Sequence, residues 1–281
     1  MSVPKNKPIG VFDSGLGGLT ILKYFLKRLP AYDYLYLGDN ARVPYGEKSP
    51  ETIYNYSREA VEYLFTAGCP LVIIACNTAS AQTLRRLQQE YLPKHWPDRR
   101  LLGVIRPLAE YVATRMKDRP TAGVGVIGTT GTIRSGAYGT ELLKMLPTLR
   151  VIEKSSPLLV PLIEEGWAKK PETKMILKKY LRVFKKDRID ILILACTHYP
   201  FLLKEIRQIM GRRVVVPEPG EIIATSLQDY LRRHPELTIS ASKKPRRSYL
   251  ATDSNEIFRH LAEKFLQQPI DALKLIKLTD S

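Results

Sequence analysis

The chain has 281 residues, 44% hydrophobic and 26% charged, with 17 glycines and 20 prolines. This composition excludes a disordered, collagen-like or disulfide-scaffold chain and predicts about two globular domains, or one large one, at roughly 150 residues per domain. The net charge of +16 admits a nucleic acid, a membrane surface or an acidic small substrate as partner. The basic residues are dispersed, at Lys185-Lys186, Arg212-Arg213, Arg232-Arg233 and 243–247, and read as a solvated basic surface.

Short apolar, β-branched runs predict strands at 9–12, 34–37, 71–75, 101–105, 124–127, 149–152, 191–195, 214–216 and 249–252. Helical patterns lie between them. Ser49-Pro50-Glu51 reads as an N-cap followed by proline at the first helical position. Asp253-Ser254-Asn255 reads as the opening of a last helix that runs to about residue 266. Fully apolar strands alternating with helices predict an α/β protein of mainly parallel sheets. In such sheets ligands bind beyond the carboxyl ends of the strands, so the residues just after each strand carry the functional reading. No apolar run approaches the roughly 18 residues of a membrane span. Residues 1–20 lack the apolar core of a signal peptide, so the expected location is cytoplasmic. Three cysteines argue against structural disulfides.

The strand-end segments repeat. Ile9-Gly-Val-Phe-Asp13-Ser14-Gly resembles Val124-Gly-Val-Ile-Gly128-Thr129-Thr, 115 residues later. Leu71-Val-Ile-Ile-Ala-Cys76-Asn77-Thr78 resembles Ile191-Leu-Ile-Leu-Ala-Cys196-Thr197-His198, 120 residues later. Two matches in the same order predict two similar α/β halves facing each other, each with a cysteine at the end of a strand.

A lone cysteine is ordinarily a small buried hydrophobe. Cys76 and Cys196 occupy equivalent places before helix-opening segments, where backbone N–H groups favour thiolate. Thiols on opposite sides of a cleft suit a reaction that removes a proton on one face and delivers one on the other. Cys69 precedes Pro70 at the far end of its strand and reads as structural. Asp13 and Ser14 lead into Gly15-Leu-Gly17-Gly18, where the backbone can approach a ligand closely. Asp39 follows the second strand, but the first loop breaks the dinucleotide fingerprint, and a carboxylate at Asp13 would repel pyrophosphate. Asp13 fits better as a holder of a substrate ammonium or as a partner of Cys76. His198 shares its loop with Cys196 and can tune proton transfer there. Thr129 and Thr132 offer hydroxyls for a carboxylate. Carbanion chemistry of this kind is usually supported by pyridoxal phosphate, yet nothing isolates a Schiff-base lysine. Donors aimed at the carboxylate in a water-poor site can stabilise the developing charge instead.

Five motifs between residues 9 and about 210 together resemble the glutamate racemase family within the aspartate/glutamate racemase superfamily: Asp13-Ser-Gly-Leu-Gly-Gly, Gly38-Asp-Asn-Ala-Arg-Val-Pro-Tyr45-Gly46, Ala75-Cys-Asn-Thr-Ala, Gly128-Thr-Thr-Gly-Thr-Ile-Arg-Ser-Gly and Cys196-Thr-His-Tyr-Pro. The resemblance implies an isomerase that needs neither cofactor nor metal and makes D-glutamate for peptidoglycan. In it, Cys76 takes the α-proton from D-glutamate and Cys196 takes it from L-glutamate. Asp13 and His198 match the polar partners of the thiols. Together with Ser14, Tyr45, Gly46, Asn77, Thr78, Thr129, Thr132 and Thr197 they match substrate-binding positions. The implied domains are discontinuous, 1–100 with 218–281 and 101–217. The implied partner is glutamate, with a homodimer as an option and neither a membrane nor a nucleic acid as main partner. Arg106 and Glu218 depart from the family pattern and bear on contacts between domains rather than on the thiols. The alternatives are a racemase of aspartate or another acidic amino acid, a cysteine hydrolase built on Cys196 and His198 that leaves Cys76 unused, and a basic nucleic-acid-binding protein on a vestigial enzyme fold.

Overall fold

The computed structural model describes residues 7–119, 121–253, 256–270 and 273–278. Its strands are β1 (Ile9–Asp13), β2 (Tyr34–Gly38), β3 (Leu71–Ile74), β4 (Arg100–Gly103), β5 (Gly123–Gly128), β6 (Arg150–Ser155), β7 (Ile191–Ala195), β8 (Arg247–Ala251) and β9 (Leu273–Leu275). Its helices are α1 (Leu19–Arg28), α2 (Pro50–Thr66), α3 (Asn77–Arg86), α4 (Leu92–His95), α5 (Ile105–Met116), α6 (Thr130–Arg134), α7 (Ala137–Met145), α8 (Leu159–Glu164), α9 (Pro171–Lys186), α10 (Leu203–Met210), α11 (Pro219–Arg233) and α12 (Glu256–Leu266). The strands make two sheets, ordered β4-β3-β1-β2-β8-β9 and β6-β5-β7, with every neighbouring pair parallel. The fold class is thus α/β with parallel sheets, as the apolar strands predict.

The two-residue period of a strand explains how each sheet is covered. In β1 and β3, Ile9, Val11, Leu71 and Ile73 enter a core shared with Leu19, Leu22 and Phe25 of α1. Phe12, Val72 and Ile74 point the other way, into a core with Ile53, Val61, Leu64 and Phe65 of α2. Each fully buried side chain of this size contributes about 1.5–3 kcal/mol of transfer free energy. The first core continues through Val124, Val126 and Leu192 into the second sheet, so the two halves share buried surface. Helix α2 begins as its sequence predicts: the Thr52 N–H donates to the Ser49 side chain at 3.2 Å, and Pro50 occupies the first turn.

The register makes the internal repeat physical. Ile9 pairs with Leu71 and Val124 pairs with Ile191, so the residues matched in sequence are matched across the strands as well. In both sheets the first strand of the repeat lies centrally, between the strand that follows it and the thiol-bearing strand. Residues 214–216 do not form the predicted full strand. They are reduced to a parallel bridge between Val215 and Ile191, held by Leu192 N–H to Val215 O at 2.9 Å. In the larger sheet the corresponding place is filled by β4, in which Arg100 pairs with Leu71.

The predicted strand 101–105 is shorter than expected, because Ile105 already opens α5. Strand β9 escapes the sequence reading; its three residues are half-exposed to exposed and carry no continuous apolar run. The last helix is present as α12, while Ser254 and Asn255 of its predicted opening lie outside the described residues. Among the described residues no helix is long and apolar enough to cross a membrane.

Candidate active site

The site is assembled from the carboxyl ends of β1, β3, β5 and β7. Cys76 is the N-cap of α3, in extended backbone at φ −62° and ψ 122°. Its Sγ accepts from the Ala79 N–H at 3.4 Å and from the Ser14 hydroxyl at 3.4 Å. Those donors favour a thiolate, but burial and the negative charge of Asp13 outweigh them and push the thiol up to about 12. Cys76 therefore carries its proton at neutral pH.

Cys196 follows β7 in the equivalent place. Its Sγ lies 3.9 Å from Nδ1 of His198. Nε2 of that ring lies 2.9 Å from Oε1 of Glu164 at the end of α8. Burial disfavours a cationic His198, yet the contacts with Cys196 and Glu164 prevail and raise it to about 10. The edge of Phe265 meets the other side of the ring, with centroids 5.7 Å apart. Both thiols are only 5% exposed, and a charge on Cys196 raises Cys76 further.

Asp13 links the halves. Its Oδ1 accepts from Gly15 N–H at 3.0 Å, and its Oδ2 accepts from the Thr197 hydroxyl at 3.4 Å. Burial pushes its carboxyl above the ordinary range, against the pull of the His198 charge and the Gly15 and Gly18 N–H groups. Thr20 of α1 donates to the Thr197 carbonyl at 2.8 Å and ties the Cys196 loop to the first half. A hydroxyl cluster ties the other side. Thr78 Oγ1 is 2.8 Å from Thr129 and 3.2 Å from Thr132, and those two are 2.9 Å apart. A Cβ on Gly46 would lie 3.0 Å from the Thr129 Cβ, which is why glycine stands there. Asn77 accepts from the Tyr138 hydroxyl at 2.6 Å.

The sequence-predicted residues are thus brought together, and Tyr45 shows a contact the sequence does not reveal. The Tyr45 hydroxyl points to Asp39 Oδ2 at 2.5 Å and is buried. Asp39 also receives Arg42 Nε at 2.7 Å and the Thr252 hydroxyl at 2.8 Å. Tyr45 therefore anchors the loop that carries Gly46. Sequence reasoning missed Glu164, Tyr138 and Thr20, which become neighbours of the site only through tertiary packing.

The matching family model is that of Asp/Glu/hydantoin racemases, over residues 20–225. The chain is 40% identical over 261 residues to a glutamate racemase of Geobacter metallireducens, covering 92% of this chain and 93% of that one. The chain belongs to the Asp/Glu/hydantoin racemase family, in its glutamate racemase branch. Among solved members, the fold matches glutamate racemase of Francisella tularensis in complex with D-glutamate with a TM-score of 0.87, at 33% identity and over 98% of this chain and 99% of that one. It matches a glutamate racemase of Bacillus anthracis with a TM-score of 0.88, at 33% identity and over 98% of each chain. Family membership makes the chain an isomerase.

The electrostatics set a pH dependence of stability. His198 rises from 6.5 to about 10 on folding, so its contribution is full below pH 6.5 and is lost as the pH climbs through 10. Cys76 rises from 9.0 to about 12 and acts in the same direction at higher pH. Thermal melts between pH 6 and pH 10 should show the melting temperature falling less steeply in Glu164→Gln than in the wild type. Parallel curves would show that Glu164 does not sustain the His198 charge.

Proposed function

We propose that the chain interconverts L- and D-glutamate by 1,1-proton transfer between Cys76 and Cys196, supplying D-glutamate for peptidoglycan. The observation that supports it is the pair of buried thiols at pseudo-equivalent strand ends, each with its own polar partner. Protonated His198 faces the Cys196 sulfur with a positive charge, while Cys76 holds its proton. That arrangement suits removal of the α-proton of L-glutamate by the Cys196 thiolate and delivery of a proton to the opposite face by Cys76. The reverse reaction exchanges the roles. Asp13 holds the substrate ammonium, with Ser14, Gly46 and Thr197 lining the same pocket. Asn77, Thr78, Thr129 and Thr132 offer donors to the carboxylate, where negative charge accumulates as the α-proton leaves. The near-absence of exposed surface at both sulfurs keeps water from quenching the carbanion-like species.

The same reading takes residues 1–100 with 218–281 as one domain and 101–217 as the other; because β4 (Arg100–Gly103) pairs with β3 along its whole length, the first sheet runs three residues past that boundary. A chiral assay with L-glutamate and with L-aspartate, without added cofactor, tests the function. D-glutamate should form about a hundredfold faster than D-aspartate, the discrimination that one missing methylene can supply in a site shaped for the longer chain. Comparable rates would assign the chain to broader acidic amino acids.

A further inference from the structure

Tyr138 lies on the half opposite to the residue it touches. It is the second residue of α7, just after Gly136, whose φ of 63° turns the chain between α6 and α7 and brings the ring inward. The ring is fully buried. Its hydroxyl donates to Oδ1 of Asn77 at 2.6 Å, across the seam between the halves. Asn77 directly follows Cys76, is 6% exposed and opens α3.

We propose that Tyr138 is a positioning residue that fixes the polarity of the Asn77 amide, so that Asn77 offers its NH2 group to a substrate carboxylate. This rests on the reading of Asn77 as a substrate-binding residue. A phenol can donate or accept, and an asparagine can present either end, so in isolation the pair has two arrangements. Burial and the neighbouring Cys196 charge both raise the Tyr138 hydroxyl well above its ordinary range, so it keeps its proton and remains a donor. With Oδ1 occupied by that donor, the amide presents its nitrogen to the cleft. A donor suits a carboxylate and opposes an ammonium. The bond also spans the two halves at the loop of one thiol, so it sets the Asn77 geometry only when the halves are together.

The test is steady-state kinetics in both directions for Tyr138→Phe, Asn77→Ala and the double variant, with thermal melts to check folding. Tyr138→Phe keeps the buried ring and removes the donor. It should raise KM roughly tenfold for both enantiomers, with kcat changed much less, the size expected for one misoriented hydrogen bond. The double variant should match Asn77→Ala alone, because the phenol acts only through the amide. Additive losses, or a wild-type KM in Tyr138→Phe, would overturn the positioning role while leaving Asn77 in the site. A wild-type kcat/KM in Asn77→Ala would remove Asn77 from substrate binding and the inference with it. Asn77→Asp keeps an acceptor for Tyr138 and loses the donor; it should fold as the wild type does and bind glutamate at least tenfold more weakly. Undiminished binding by Asn77→Asp would contradict the proposed polarity even if Tyr138→Phe did not fold.

Discussion

Cys76→Ala and Cys196→Ala should each lower kcat about a thousandfold or more, from L-glutamate and from D-glutamate alike. A positioned acid or base contributes about 10²–10⁴ in rate. Here each thiol is the base in one direction and the acid in the other, so losing either breaks the same proton path both ways. Cys69→Ala is the internal control. Cys69 is fully buried, burial pushes its thiol up to about 12, and it lies before β3 rather than beyond it. Its replacement should cost stability while most activity remains. Racemisation assays on the three purified variants separate these outcomes, and near-normal turnover in Cys76→Ala would end the two-thiol account.

Gly17→Ala should cost about a hundredfold in kcat/KM while the protein stays folded. A Cβ at Gly17 would meet the Thr197 hydroxyl and would approach His198 Nδ1 to 2.7 Å and Cε1 to 2.8 Å. Neither neighbour can yield without consequence. Thr197 is held through its carbonyl by Thr20 and donates to Asp13. The His198 ring is fixed by Glu164 on one side and Phe265 on another. Relief of the clash therefore moves the imidazole relative to the Cys196 sulfur, and displacements near 1 Å at a reacting centre cost about this much. The measurement is kcat/KM alongside the melting temperature. A fully active Gly17→Ala would show that the loop is compliant and that His198 geometry is not decisive.

The parts of this molecule legible in its sequence share one property: their signal is local. A buried parallel strand is a short apolar run, and the residue after it is placed by the fold whatever its neighbours are, so Asp13, Cys76 and Cys196 are marked by their places after strands, whereas Thr129 looks like any threonine cap. The repeat works for the same reason, because it compares local segments. Glu164 carries no such signal. It sits at the end of α8 as one of two adjacent glutamates, and only tertiary packing brings it, rather than Glu165, to His198. Tyr138 is similar, since its partner Asn77 is 61 residues away. For Tyr45 the motif is visible but the partner of its hydroxyl, Asp39, is not. Residues 214–216 have the composition of a strand, yet only Val215 bridges to β7, because the chain turns into the segment leading to α11.

Solvent-hydrogen incorporation tests the central claim most directly. L-glutamate is racemised in deuterated water, the reaction is stopped early, and the Cα hydrogen of each separated enantiomer is read by NMR. If Cys196 removes the proton and Cys76 delivers another that it has exchanged with solvent, the D-glutamate formed carries deuterium at Cα while the remaining L-glutamate stays protiated. D-glutamate that retains the original α-hydrogen would mean that one base carries a single proton from face to face, and would contradict the opposed thiols.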